Sequence, residues 1–294
     1  MTMPIRTRAL HKCFDDTPAL AGLDLTIPEG TVTGLVGRNG SGKSTLLRIA
    51  TGLFLPTGGE CRTFDEPTGK LQSDTLRRIG YLDQEAKYLE WLNVSDHLRY
   101  VASFYPRWDS ALERRLLREL DLDPNTRVGA LSPGNRQKLG ILLAVCHHPD
   151  LLLLDEPASA LDPVAREQVL SFLMQLLTDE PRTIVISSHI LHDVERLVDR
   201  VACLESGHLV SHTSLDELQE TYTEWRIRAR AGALPTRFNE PFVLNAEIRG
   251  TEARLIVRNP DTVRDSFRAA HDVDLSQHNL SLEQIFPWLL KHAA

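Results

Sequence analysis

The chain has 294 residues, 42% apolar and 25% charged, the make-up of an ordinary soluble globular protein with room for one large or two modest domains. Its 33 basic against 40 acidic side chains leave a net charge of -7, so nucleic acid is not expected as a main partner. Cys13, Cys61, Cys146 and Cys203 lack C-x-x-C spacing, which points away from zinc or a disulfide framework and fits a reducing cytoplasm. Residues 1–10 hold no apolar core of signal-peptide length, and the apolar runs at 141–146 and 151–154 fall far short of a membrane span. Work at a membrane would need another chain to hold this one there.

In chain order, residues 4–12 and 19–27 read as two strands joined by a turn at Asp15-Asp16-Thr17-Pro18, with the aromatic Phe14 beside it. Gly30 breaks the chain, and the short β-prone run 31–36 leads into Gly37-Arg38-Asn39-Gly40-Ser41-Gly42-Lys43-Ser44. That is the pattern G-x-x-x-x-G-K-[ST]. Residues 44–50 then form a helix with Leu46, Leu47 and Ile49 on one side. A strand ends, glycines curl the backbone, and a helix opens with its free N–H groups aimed at one point, which is an anion site. Lys43 adds a full charge toward the β- and γ-phosphates of a nucleotide, and the Ser44 hydroxyl is placed to take Mg2+. A turn at 57–59, a strand at 60–64, a helix near 73–78 and a strand at 79–82 follow, with Gln84 just past the end of the last.

Residues 93–146 are helix-rich. Ser95 predicts a cap for a helix through about Phe104. Asp109 predicts one for a helix through Leu120, with Leu112, Leu116, Leu117 and Leu120 as its stripe. Ser132 predicts a third cap, with Pro133 at the first helical position. The run 151–156 is a buried strand that delivers Asp155 and Glu156 at its C-terminal end. A helix over 163–177, a buried strand over 183–187 followed by Ser188 and His189, and a strand pair over 200–212 around Gly207 complete a mostly parallel α/β sheet. From about 214–222 the organisation changes. Residues 224–230 alternate, 242–249 and 251–258 form a hairpin around Gly250, and Asp261 predicts a helix cap. Ser281 and Gln284 make a capping box for a last helix to about Lys291. The expected division is 1–222 and 223–294, the second part a small α+β domain. Its stripe Leu282, Ile285, Phe286 and Leu289 is either the core of that domain or a regulatory or dimer contact.

Asp155 suits the Mg2+ shell together with Ser44, and Glu156, one residue on, suits a general base for an attacking water. Gln84 offers an amide oxygen to the cation or the water, and His189 offers a hydrogen bond to the γ-phosphate. At Leu131-Ser132-Pro133-Gly134-Asn135-Arg136-Gln137-Lys138 the chain resembles the ATP-binding-cassette (ABC) ATPases, whose signature reads L-S-G-G-Q followed by a basic residue. The resemblance covers about residues 4–220, with its motifs in order. Phe14 falls at the adenine-stacking aromatic, 37–44 at the Walker A loop with Thr45 following, and Gln84 at the Q-loop. Residues 151–156 fall at Walker B, Ser159-Ala160-Leu161-Asp162 at the D-loop, and His189 at the switch histidine. Pro133 stands for a glycine and removes an N–H donor, Asn135 for the glutamine, Phe14 for the commoner tyrosine, and Asp83 where proline is frequent.

The resemblance implies a P-loop nucleotide-binding domain with an antiparallel β subdomain and a helical insert at about 85–147. It implies ATP and Mg2+ as ligands and hydrolysis to ADP and phosphate. It implies a head-to-tail dimer, homomeric or heteromeric, in which Ser132, Gly134 and Asn135 act in trans and Asp162 lies at the seam. An integral-membrane permease would then be the partner, with this chain peripheral on the cytoplasmic face. The stretch Phe104-Tyr105-Pro106-Arg107-Trp108-Asp109 resembles bacterial ATPases paired with ABC-2-type exporters. Tyr88 and Trp91 either line a groove for the permease or belong to the core of the insert. The alternative is a soluble ABC ATPase acting on a macromolecular partner; such proteins usually carry two cassettes or long coiled coils, and this chain has one phosphate loop and no sustained heptads.

Overall fold

The computed structural model describes residues 3–179 and 182–291, which fall into two units dividing after His212. In the first unit, β1 (Ile5–Phe14) turns at Asp15 into β2 (Thr17–Leu23), followed by the short β3 (Thr26–Ile27). The turn is tighter than expected, because Thr17 and Pro18 already pair with Phe14 and Cys13. β2 is the outer strand of its sheet, where a proline without an N–H costs little. The wholly buried β4 (Val32–Val36) feeds the phosphate loop and α1 (Lys43–Ala50). Next come β5 (Gly58–Thr63), β6 (Glu66–Pro67), α2 (Ser73–Leu76) and β7 (Ile79–Leu82).

The helical insert holds α3 (Val94–Ala102), α4 (Ser110–Glu119) and α5 (Pro133–Val145). α3 is capped by Asn93, not Ser95: the Asn93 side chain accepts the Asp96 N–H at 2.7 Å, and Ser95 lies inside the first turn. Asp109 and Ser132 cap α4 and α5 as expected. The unit closes with β8 (Leu151–Asp155), α6 (Pro163–Asp179), β9 (Thr183–Ser188), the unexpected short α7 (Leu191–Glu195), β10 (Arg200–Glu205) and β11 (His208–Ser214).

One sheet is antiparallel, in the order β2-β1-β5-β6 with β3 on β1; the other runs β11-β10-β4-β9-β8-β7, parallel from β10 to β7. Leu46, Leu47 and Ile49 of α1 share one core with Leu10, Leu20 and Ile27 of the first sheet and Leu35, Leu153 and Val185 of the second. Burying each such side chain stabilises by about 1.5–3 kcal/mol. The helix behind the phosphate loop is thereby fixed from both sides. β4 lies in the middle of the parallel sheet, so the loop leaves from its centre.

The second unit begins earlier than expected, because α8 (Leu215–Thr221) is part of it and packs on its last helix. It continues with β12 (Tyr222–Ala229), β13 (Val243–Arg249), β14 (Glu252–Arg258), α9 (Pro260–His271), β15 (Val273–Asn279) and α10 (Leu282–Lys291). The sheet is antiparallel in the order β13-β14-β12-β15. α9 starts after Asn259 in the left-handed region with Pro260 in its first turn, so Asp261 lies inside the helix and caps nothing. β15 was not expected, since Ser276-Gln277-His278-Asn279 offers no apolar run. Trp225 is wholly buried among Leu255, Val257 and Phe267, and Leu282, Ile285 and Leu289 of α10 are buried as well. Ser281 and Gln284 form the expected reciprocal cap.

Candidate nucleotide site

The phosphate loop is shaped by Gly42, at φ +105°, where a Cβ would come within 2.5 Å of the Ala19 carbonyl oxygen and 2.7 Å of Leu20 Cδ2. A side chain there meets both a strained backbone and β2. Lys43 folds back over the loop and donates from Nζ to the carbonyls of Gly37 at 2.8 Å and Arg38 at 3.1 Å. Its burial lowers the ammonium pKa, opposed by the charges of Glu156 and Asp155. Beside the loop lies a cleft of about 390 Å3 lined by Phe14, Ala19, Asn39, Gly40, Gly42, Lys43, Ser44, Thr45, Gln84, Glu156 and His189. Larger hollows, of about 660, 600 and 410 Å3, lie on the sheet of the second unit, between α4 and α6, and beside Tyr105 and His148. None of them brings together a phosphate loop and carboxylates, so chemistry rather than size selects the site. Phe14 is 42% exposed, with its ring edge-on to Phe54 at 5.4 Å and Lys12 Nζ 4.9 Å from its centre.

β8 ends at Asp155, which has no exposed surface. Its Oδ1 accepts from the Ser187 hydroxyl at 2.5 Å, while the buried Oδ2 has no hydrogen-bond partner. A buried carboxylate oxygen left unsatisfied is costly, and a hard divalent cation is what such a donor suits. The unpartnered Asp155 oxygen therefore fits a divalent cation such as Mg2+.

Glu156 turns out of the strand at φ +52°, a conformation costing a non-glycine residue about 1–2 kcal/mol. Neighbours hold it there. Its N–H donates to Ser187 O at 3.2 Å and Ser187 Oγ at 3.0 Å. Its carbonyl accepts from Gln137 Nε2, the Ser159 N–H and the Ser159 hydroxyl. Its carboxylate Oε2 lies 2.8 Å from His189 Nδ1. Burial raises the Glu156 pKa, opposed by His189 and Lys43. A carboxylate so placed works nearer to neutral pH than an ordinary one.

The other expected residues do not line this cleft. Ser132 is exposed at the start of α5, its hydroxyl accepting the Asn135 N–H at 3.2 Å. Gly134 packs on the turn after Glu156, where a Cβ would lie 3.3 Å from Ala160 O. Asp162 caps α6, its Oδ1 accepting from the N–H groups of Val164 at 2.9 Å and Ala165 at 3.0 Å.

Residues 20–159 match the family described as ABC transporter. The bacitracin transport ATP-binding protein BcrA of Bacillus licheniformis is 33% identical, over 75% of this chain and 72% of its own length. This chain belongs to the ABC transporter ATP-binding family. The daunorubicin/doxorubicin resistance ATP-binding protein DrrA of Streptomyces peucetius is 30% identical over 100% of the cassette chain and 94% of its own length. Among solved structures, the dimeric post-hydrolysis state of an ATP-binding cassette bound to ADP and Pi is 27% identical, with a TM-score of 0.63 over 72% of this chain and 98% of that one. The cassette is an ATPase, converting ATP and water to ADP and phosphate, and it energises an ABC transporter.

Three features of the cassette escaped sequence reasoning. Ser187 belongs to no motif, yet it holds both Asp155 and Glu156. Gln137 was visible only as part of the signature stretch. Asp83, the departure from proline, takes two hydrogen bonds from Arg48 at 3.0 and 2.8 Å and one from the Tyr81 hydroxyl at 3.1 Å, tying α1 to the residue before Gln84. Tyr88 and Trp91 part company. Tyr88 packs edge-on to His97 at 5.5 Å, whereas Trp91 is 72% exposed. Among the described residues, no helix is long and apolar enough to cross a membrane.

Proposed function

We propose that the cassette is one half of a head-to-tail pair that closes on two ATP molecules, opens after hydrolysis, and so drives an exporter from the cytoplasmic face of the membrane. Drug resistance and bacitracin transport, the activities named for its relatives, favour outward movement of a substrate. The dimeric state of the similar ATP-binding cassette favours pairing. An integral-membrane permease is the partner that would read the motion, with the exposed Trp91 on its docking face.

In this reading Phe14 stacks on the adenine, while the loop from Gly37 to Ser44, with Thr45, surrounds the phosphates. On nucleotide binding, Lys43 exchanges its two carbonyl partners for phosphate oxygens. Ser44, Asp155 and Gln84 hold Mg2+, which when bound neutralises charge on the β- and γ-phosphates. Glu156 takes a proton from the attacking water, and His189 fixes the carboxylate through Oε2. Ser132, Gly134 and Asn135 of one subunit meet the γ-phosphate held by the other, and Asp162 stands at the seam between them.

The observation that carries the proposal is the buried Glu156 carboxylate, 2.8 Å from the exposed His189 ring, in the cleft that also holds Lys43. Glu156→Gln should retain ATP, accumulate dimer on gel filtration, and lose turnover by about 10²- to 10⁴-fold. Lys43→Ala should lose nucleotide binding itself. Wild-type turnover in Glu156→Gln would remove this carboxylate as the base.

A further inference from the structure

The carboxamide of Gln137 has no place in the roles above, although it is nine-tenths buried. Nε2 donates to the Glu156 carbonyl, and Oε1 accepts the Ala160 N–H at 3.1 Å. The partners decide which way the amide faces, because a carbonyl needs the NH2 group and an N–H needs the oxygen. Both lie in the turn 156–160, which carries Glu156 out of β8 and leads to Asp162. Within that turn the Glu156 carbonyl also receives the Ser159 N–H at 3.2 Å and the Ser159 hydroxyl at 3.1 Å. The turn therefore keeps bonds, among its own residues and from the Glu156 N–H to Ser187, that do not involve Gln137. What Gln137 adds is a tie to a different element, α5. Gly134 lies one helical turn before Gln137 and presses on the same segment, at Ala160 and Leu161.

We propose that Gln137 is a positioning residue for ATP hydrolysis, its carboxamide holding Glu156 and the turn toward Asp162 in register with the helix that begins at Ser132. The inference rests on Glu156 being the general base and on the start of α5 meeting the second nucleotide. A shift of α5 when Ser132 and Gly134 reach a phosphate then moves the Glu156 backbone of the same subunit. Engagement at one nucleotide is thus passed by a side chain to the base at the other.

Gln137→Met preserves length and burial and removes both hydrogen bonds. The turn's own bonds remain, so the expected loss is in kcat, by about 10- to 100-fold, as small displacements of a reacting group cost. KM for ATP should stay within about twofold, because no nucleotide contact is touched. Gln137→Glu retains the acceptor for Ala160 and regains a donor toward Glu156 only when protonated. Its kcat relative to the wild type should therefore rise as pH falls. In single turnovers with Glu156→Gln, adding Gln137→Met should slow the reaction little further, since both act on one step. A wild-type kcat in Gln137→Met, a loss confined to KM, a flat pH ratio for Gln137→Glu, or full additivity with Glu156→Gln would overturn the inference. Failure of the underlying assignment looks different: Glu156→Gln by itself would then turn over normally, and the role of Gln137 would fall with it.

Discussion

Ser187→Ala removes one oxygen from the floor of the site. In the wild type that oxygen donates to Asp155 Oδ1 at 2.5 Å and accepts the Glu156 N–H at 3.0 Å. The second loss is mild, because the Glu156 N–H still reaches Ser187 O at 3.2 Å. The first is not. Asp155 has no exposed surface and its Oδ2 is already unpartnered, so the mutation leaves both carboxylate oxygens bare. A hydrogen bond to a charged group contributes about 1.5–3 kcal/mol, which sets the expected destabilisation without nucleotide at about 2–3 kcal/mol. With Mg2+ and ATP present, and Glu156→Gln in both proteins to stop turnover, the gap should narrow, since a cation bound at Asp155 supplies the missing partner. Urea unfolding followed by circular dichroism reads both differences. Ser188→Ala is the control. Among the described residues its hydroxyl bonds only Ile190, accepting the N–H at 2.9 Å, so its cost should be near 1 kcal/mol and the same with or without Mg2+. If Ser187→Ala costs no more than Ser188→Ala, or if Mg2+ and ATP leave its deficit unchanged, the view of Asp155 as a carboxylate held open for a cation is wrong.

Trp91→Ala should abolish copurification with the permease while leaving ATP binding intact, and, at an exposed position, should change stability by no more than about 0.5 kcal/mol. Unchanged assembly would move the docking face elsewhere. The pH dependence of kcat at saturating MgATP follows from Glu156. Burial raises its pKa, so the proton leaves at higher pH than from an ordinary glutamate, and only the deprotonated form accepts a proton from water. Rate should accordingly rise with pH through that raised value and be lost on acidification before ordinary carboxylates titrate. A profile flat down to the usual glutamate range would contradict it.

The phosphate loop was legible because its chemistry is local. Glycines, a lysine and a hydroxyl at fixed spacing fix both the turn and its ligand, and the strand and helix on either side are short-range patterns. Glu156 marks where locality ends. Its position at the end of a leucine run could be read, but its departure from the strand at φ +52° is held by Ser187, distant in sequence after it, and tied to α5 by Gln137, before it. The start of α3 turned on a choice between two competent caps, and Asn93 prevailed because it is also bridged to Arg127, which a linear pattern does not contain. β15 was hidden for the opposite reason: its register comes from pairing with β12, not from its own polar residues. Tyr88 and Trp91 look alike in sequence, and only the packing of Tyr88 against His97 and Gly140 separates them.

The start of α5 shows what the departures in the signature do to its chemistry. Pro133 has no N–H, and the Asn135 N–H is already taken by the Ser132 hydroxyl oxygen. Of the first helical donors this leaves the Gly134 N–H, together with the Ser132 O–H, whose hydrogen is not used in that cap. A phosphate approaching this end thus meets two donors and the positive end of a thirteen-residue helix, fewer hydrogen bonds than a glycine in place of Pro133 would offer. The proline gives a rigid first turn in exchange, fixed at its helical φ before any ligand arrives. With fewer contacts at its tip, the helix depends more on what anchors it further along. That anchor is the face carrying Gly134 and Gln137, which joins α5 to the turn of Glu156.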